Sequence, residues 1–190
     1  MKYDPERHHR QSIRLKGYDY SQQGAYFVTI CTYKRCEVFG EIRGGEMYLS
    51  SQGEIAQAMW KTLPKRFPGI ELDSFVIMPN HIHGIVVRSQ YVTPKPANQT
   101  VPPFKYSYKS FRTTSHRFQT HNEMMRTFKA VTSYHVRKKE NAAFAWQRGY
   151  YEYIIRNEKE LGFIRSYIVN NPAKWQEDKL HPLRGNETLL

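Results

Sequence analysis

From residue 25 onward the chain alternates between short β-branched or aromatic runs and stretches whose apolar residues recur every three or four positions. Residues 25–33 (AYFVTICTY) are β-branched and aromatic throughout and predict a strand. A second extended segment, 38–48, is interrupted by Gly44-Gly45, a turn or bulge signal. Ser51 with Glu54 three residues on has the capping-box pattern of a helix start. Ile55, Met59 and Leu63 then share one helical stripe until Pro64 and Pro68 stop it. Residues 72–77 and 81–87 predict two strands joined by the tight turn Met78-Pro79-Asn80. A helix over 123–139 places Met124, Phe128, Val131 and His135 on one stripe, and 144–155 is a last strand, interrupted by Gly149. Asn157 caps a final helix with the stripe Leu161, Ile164 and Ile168, which Pro172 ends. The order β-β-α-β-β-α-β-α predicts an α+β fold, an antiparallel sheet with helices packed on one face.

Two regions lack such periodicity. Residues 1–24 read as a basic arm, and 176–190 as a polar tail, flanking a single domain at 25–175. Within that domain, 88–121 is a long connection holding Pro94, Pro96, Pro102 and Pro103, a length usually reserved for function or mobility. At 190 residues the chain suits one domain. Its charged N-terminus has no apolar segment of the signal-peptide kind, and no run approaches the roughly 18 apolar residues of a membrane span. A cytoplasmic protein without membrane contact is expected. Cys31 and Cys36 are the only cysteines, too few for a disulfide scaffold or a four-cysteine zinc site.

Charge changes the picture more. Lys and Arg number 29 against 17 Asp and Glu, a net +12, which points to a polyanionic partner. Between Phe104 and Lys139 nine cations (Lys105, Lys109, Arg112, Arg117, Arg126, Lys129, Arg137, Lys138, Lys139) face one acid, Glu123, so nine minus one, or +8, lies in that segment. There Phe104, Tyr106, Tyr108, Phe111 and Phe118 interleave with Lys105, Lys109, Arg112 and Arg117, a pattern suited to single-stranded nucleic acid. Bases stack on aromatic rings while cations track phosphates. A plain basic loop would read the same way.

The candidate chemistry lies in two places. His81 and His83 are two apart on a predicted strand, so both imidazoles point to one face and can hold one divalent ion. Such pairs also occur on ordinary sheet surfaces. Tyr167 and Asn171 are four apart on the last helix and share a face at the border of its apolar stripe. That position equally suits an amphipathic boundary tyrosine. Taken together the two signals suggest more. A phenol, with its pKa near 10, attacks a phosphodiester only if a cation polarises the phosphate. A third ligand on the tyrosine's own helix face would join ion and nucleophile. Tyr150 and Tyr151 compete as nucleophiles but have no polar partner four residues on.

Three ordered segments carry a family resemblance. Met78 to Val86 (MPNHIHGIV), Trp146 to Asn157 (WQRGYYEYIIRN) and Arg165 to Trp175 (RSYIVNNPAKW) resemble the REP-associated tyrosine transposases, of the single-tyrosine HUH superfamily. The likeness runs over about residues 10–175, and it departs at Tyr153, where relatives often carry His. It implies a ferredoxin-like HUH palm, Tyr167 as nucleophile, and Mg²⁺ or Mn²⁺ held by His81, His83 and Asn171. It also implies single-strand nicking and strand transfer through a 5′-phosphotyrosine at hairpin-forming, REP-like DNA. On charge, Arg126, Lys129 and Arg148 join Lys105, Lys109, Arg112 and Arg117 as candidate DNA-binding cations. Family members differ on dimerisation, so a homodimer is open. Two other readings remain: a domesticated hairpin-binding protein that does not cut, and a metal-dependent phosphodiesterase that uses water.

Overall fold

The computed structural model describes residues 22–89 and 120–183. Nearly all of the expected basic arm, most of the 88–121 connection with Lys105, Lys109, Arg112 and Arg117, and the end of the tail lie outside the described residues.

Among the described residues six strands form: β1 (Gly24–Cys31), β2 (Gly40–Arg43), β3 (Glu46–Leu49), β4 (Ile70–Ile77), β5 (His81–Arg88) and β6 (Tyr151–Ile155). The helices are α1 (Ser51–Lys61), a one-turn α2 (Leu63–Arg66), α3 (His121–Lys139) and α4 (Glu158–Asn170). Strands β4-β5-β1-β6 build one antiparallel sheet in that order. Four strands and two crossover helices in the sequence β1-α1-β4-β5-α3-β6 give the ferredoxin-like arrangement. The β2–β3 hairpin is inserted and α4 is appended.

Local chemistry explains the boundaries. Gly44 and Gly45 both take positive φ, 57° and 83°, which a two-residue hairpin turn requires. The α1 cap is Ser50, one residue before the expected Ser51; its hydroxyl accepts from the Gly53 amide and so satisfies a first-turn donor. Thr120 and Glu123 form a reciprocal capping box that starts α3 at His121, two residues ahead of the expected 123. The strand expected over 144–155 is confined to its last five residues. Before them the chain is irregular, touching the sheet through one bridge, Thr32 to Trp146.

Alternation along the strands divides the sheet into two faces. Val28, Ile30, Ile82 and Val86 point to one and pack with Ile55, Met59, Trp60, Phe128 and Val131 of α1 and α3. The expected packing of helices on one face is this layer. Residues of opposite parity (Phe27, Ile85, Val87, Ile155) meet Leu161, Ile164 and Ile168, so α4 lies on the other face. An ion pair docks it there: the Arg165 guanidinium donates to both carboxylate oxygens of Asp73 on β4, at 2.9 and 2.6 Å. This face carries the histidines.

Candidate metal centre and nucleophile

The register sets the site. Thr29 of β1 stands opposite His83 of β5, and Cys31 opposite His81. Both imidazoles are buried, and their ring centroids are 4.4 Å apart. Phe27 stacks on His83 at 5.2 Å. Burial penalises the imidazolium form, so the His81 pKa falls to about 3, with the Arg35 charge adding to the effect. His83 is held well below the usual range by burial and then by its neighbour His81. Both rings are therefore neutral at physiological pH, the form a metal needs.

Their outer nitrogens are aimed by partners. Asn80 donates through Nδ2 to the carbonyls of Leu180 (2.9 Å) and Arg35 (3.2 Å), which turns its Oδ1 toward His81 Nδ1 at 2.7 Å. His81 Nδ1 is thus the donor, and the lone pair is left on Nε2, buried and without a hydrogen bond. His83 Nδ1 lies 2.8 Å from the Thr29 hydroxyl, which in the same way directs its Nε2 inward. The turn that supplies the Arg35 carbonyl is costly, since Lys34 and Arg35 take φ of 53° and 55°. Arg35 also donates to the Lys179 carbonyl at 3.2 Å, binding the same turn to the C-terminal segment.

Opposite the histidines stands α4. The Tyr167 hydroxyl lies 3.1 Å from His83 Nε2, although 46% of the residue is open to solvent. Desolvation of the phenol and the nearby Asp178 charge push its pKa up to about 12, against a smaller opposing effect of Asn171. Asn171, one turn on, is buried; its Nδ2 donates to Asp178 Oδ2 at 3.1 Å and its Oδ1 has no partner.

Asp178 is the residue that sequence reasoning missed. With His81 and His83 it forms a cluster whose ligand atoms all lie within 4.8 Å of one another, able to hold a metal ion. Its Oδ2 is 4.0 Å from His81 Nε2, while Oδ1 accepts from the Leu180 amide at 2.6 Å. The segment expected to be a polar tail from residue 176 contributes buried residues as far as His181. Asp178 and His181 are buried, the His181 ring lies 4.7 Å from Trp175, and the backbone turns tightly through Asp178. Polar residues go inside here because each finds a partner. The signal was slight: Trp175, Leu180 and Leu183 among charged neighbours.

The orphaned atoms are the test of fit. A neutral His81 Nε2, the Asn171 carbonyl oxygen and an Asp178 oxygen form a mixed nitrogen and oxygen donor set of the kind divalent Mg²⁺-like or Mn²⁺-like ions accept. Buried unpaired atoms cost about 1–3 kcal/mol each, which an ion would relieve.

The expected DNA contacts divide. Arg126 and Arg148 are exposed. The Lys129 ammonium donates to the carbonyls of Gln147 (2.6 Å) and Gly149 (2.8 Å), and burial lowers its pKa. It secures the irregular approach to β6. Of the competing tyrosines, Tyr150 packs against the main core and His121, on the side away from the histidines. Tyr151 shares their face but sits opposite Thr29 on the outer strand.

No family model matches the chain. It is 40% identical over 185 residues to an uncharacterized protein of Haemophilus influenzae, covering 95% of this chain and 97% of that one. Among solved structures it resembles a REP-associated tyrosine transposase bound to a REP hairpin, with a TM-score of 0.54 and 18% identity, over 87% of this chain and 76% of that one. A looser likeness, TM-score 0.39 at 16% identity over 83% of this chain and 95% of the other, links it to a candidate transposase from Deinococcus radiodurans. No described helix is long and apolar enough to cross a membrane. The chain belongs to one family with the Haemophilus influenzae protein, and its fold is that of the REP-associated tyrosine transposases.

Proposed function

We propose that this protein is a metal-dependent transposase that nicks single-stranded, hairpin-bearing DNA and rejoins it through Tyr167. The observation that carries the reading is the convergence of a half-exposed tyrosine hydroxyl, 3.1 Å from His83 Nε2, on a buried donor set. A phenol with its pKa near 12 is a weak nucleophile alone. His81, His83 and Asp178, with the Asn171 oxygen beside them, would hold Mg²⁺ or Mn²⁺. Such an ion supplies positive charge that neutralises a phosphate and offsets the Asp178 charge now opposing ionisation of Tyr167.

The chain's own residues do the rest. Asn80 and Thr29 fix the imidazole orientations, Asn171 fixes the Asp178 carboxylate, and the Arg165–Asp73 pair holds α4 so that Tyr167 reaches the site. Attack by Tyr167 Oη on a phosphodiester forms the phosphotyrosine and breaks the bond to the 3′ oxygen. The phenolic proton departs and the 3′ oxygen takes one up, so the step balances and is reversible. One phosphate ester is exchanged for another, so the phosphotyrosine keeps the energy of the broken bond and the free 3′-hydroxyl can attack it to rejoin the strand. The relative of known structure binds a REP hairpin, and the net +12 charge is consistent with a similar DNA partner here.

The test is a denaturing gel of end-labelled hairpin DNA with wild type and Tyr167→Phe, in Mg²⁺ or Mn²⁺. A metal-requiring protein–DNA adduct that vanishes in Tyr167→Phe is expected. Cleavage surviving in that variant would instead indicate hydrolysis by water, and tight binding without cleavage a DNA-binding role.

A further inference from the structure

Among the described residues, α4 does not cover the whole of the face that carries the site: Tyr151 at its edge is exposed. Helix α4 packs on β4 and β5, while β6 forms the sheet's outer edge beyond β1. Register places His83, Thr29 and Tyr151 in one row across three neighbouring strands. With strands spaced about 4.8 Å, the Tyr151 backbone lies roughly 10 Å from that of His83. Tyr151 is 47% exposed at the end of this row. Its ring is 6.5 Å from Phe27, and Phe27 is 6.1 Å from the Tyr167 ring, so three aromatic rings lead from the nucleophile to the sheet edge.

Among the described residues, Tyr151 belongs to neither core cluster. The surrounding charge suits an anionic strand: Arg148 and Arg156, both exposed, flank β6 at its two ends, in a chain of net charge +12. Rings and cations interleaved along an open sheet face are how single-stranded nucleic acid is held without reading its sequence.

We propose that Tyr151, backed by Phe27, is a base-stacking platform for the single-stranded DNA that flanks the scissile phosphate. This rests on the reading of single-stranded DNA as substrate, and assigns Tyr151 a contact with substrate but no part in bond breaking. Stacking needs the ring and not the hydroxyl. It also needs a base, and adds no charge.

The test measures binding of a fluorescent single-stranded dodecathymidylate to the full chain carrying Tyr167→Phe, so that cleavage plays no part. Adding Tyr151→Ala should weaken binding about tenfold to hundredfold, while Tyr151→Phe binds as before. The salt dependence should keep its slope in both, because no phosphate contact is lost. An abasic oligonucleotide should bind the Ala and Tyr proteins equally. Equal binding of dodecathymidylate by Tyr151→Ala would overturn the platform. So would loss of the protein–DNA adduct in Tyr151→Phe with Tyr167 intact, which would make Tyr151 a nucleophile. Failure of the gel test with stacking intact would count against the tyrosine chemistry and not against the platform.

Discussion

Tyr167 and His83, 84 residues apart in sequence, meet at 3.1 Å through the phenol oxygen and Nε2. That nitrogen is also the one aimed at the ion site, so the phenol and an ion compete for a single lone pair. Tyr167→Phe should therefore abolish the protein–DNA adduct while leaving Mn²⁺ affinity unchanged or severalfold tighter. Calorimetric titration of the two proteins checks this. Loss of Mn²⁺ binding in Tyr167→Phe would show that the phenol helps to build the ion site.

Asp178 and Asn171 should separate by role. Asp178 offers a charged oxygen to the cluster, whereas Asn171 both orients that oxygen and presents one of its own. Asp178→Asn should weaken Mn²⁺ binding at least hundredfold, and Asn171→Ala by about tenfold to hundredfold, the range typical of groups that orient ligands. A larger loss in Asn171→Ala than in Asp178→Asn would make the amide the principal third ligand.

This pair also shows where the sequence could and could not be read. His81 and His83 were legible because strand alternation alone places them together, and Tyr167 and Asn171 because one helical turn does the same. The α-helical stripes predicted α1, α3 and α4 for the same reason: Met124, Phe128 and Val131 are all buried where the period puts them. Asp178 was not legible. It reaches the site through an irregular turn after Pro172, held by Asn80, Leu180 and Arg35, and no period connects residues brought together that way. Charge pattern likewise does not reveal that the Lys129 ammonium donates to the carbonyls of Gln147 and Gly149.

Gly84 lies between the site and the core on β5. A Cβ there would come within 2.5 Å of the Trp60 ring, which is fully buried and set edge-on to Phe128. Relief requires moving a core indole or the strand that bears both histidines. Gly84→Ala should cost about 1–3 kcal/mol, as overpacking usually does. Urea denaturation of wild type and variant measures it. A neutral result would mean that Trp60 can shift without disturbing the sheet.

Acid should act on the fold through His81. Its pKa is about 3 in the folded state against an ordinary 6.5, and burial is the main cause. Below about pH 6.5 the unfolded chain takes up a proton that the folded one refuses, so stability is present above that pH and is lost as pH falls toward 3. One such group contributes about 1.4 kcal/mol per pH unit across that window, and His83 acts in the same direction. Melting temperature should therefore decline from near pH 6.5 downward, and His81→Gln should flatten the decline. The same neutrality has a consequence for binding. An exposed histidine loses its ligand lone pair to protonation below about pH 6.5, with affinity falling up to tenfold per unit. His81 keeps its lone pair, so Mn²⁺ affinity should stay nearly level from pH 7 to about pH 5.5. A steep fall in affinity over that range, in protein that remains folded, would show that the histidines titrate as exposed groups and that their burial does not set the chemistry of the site.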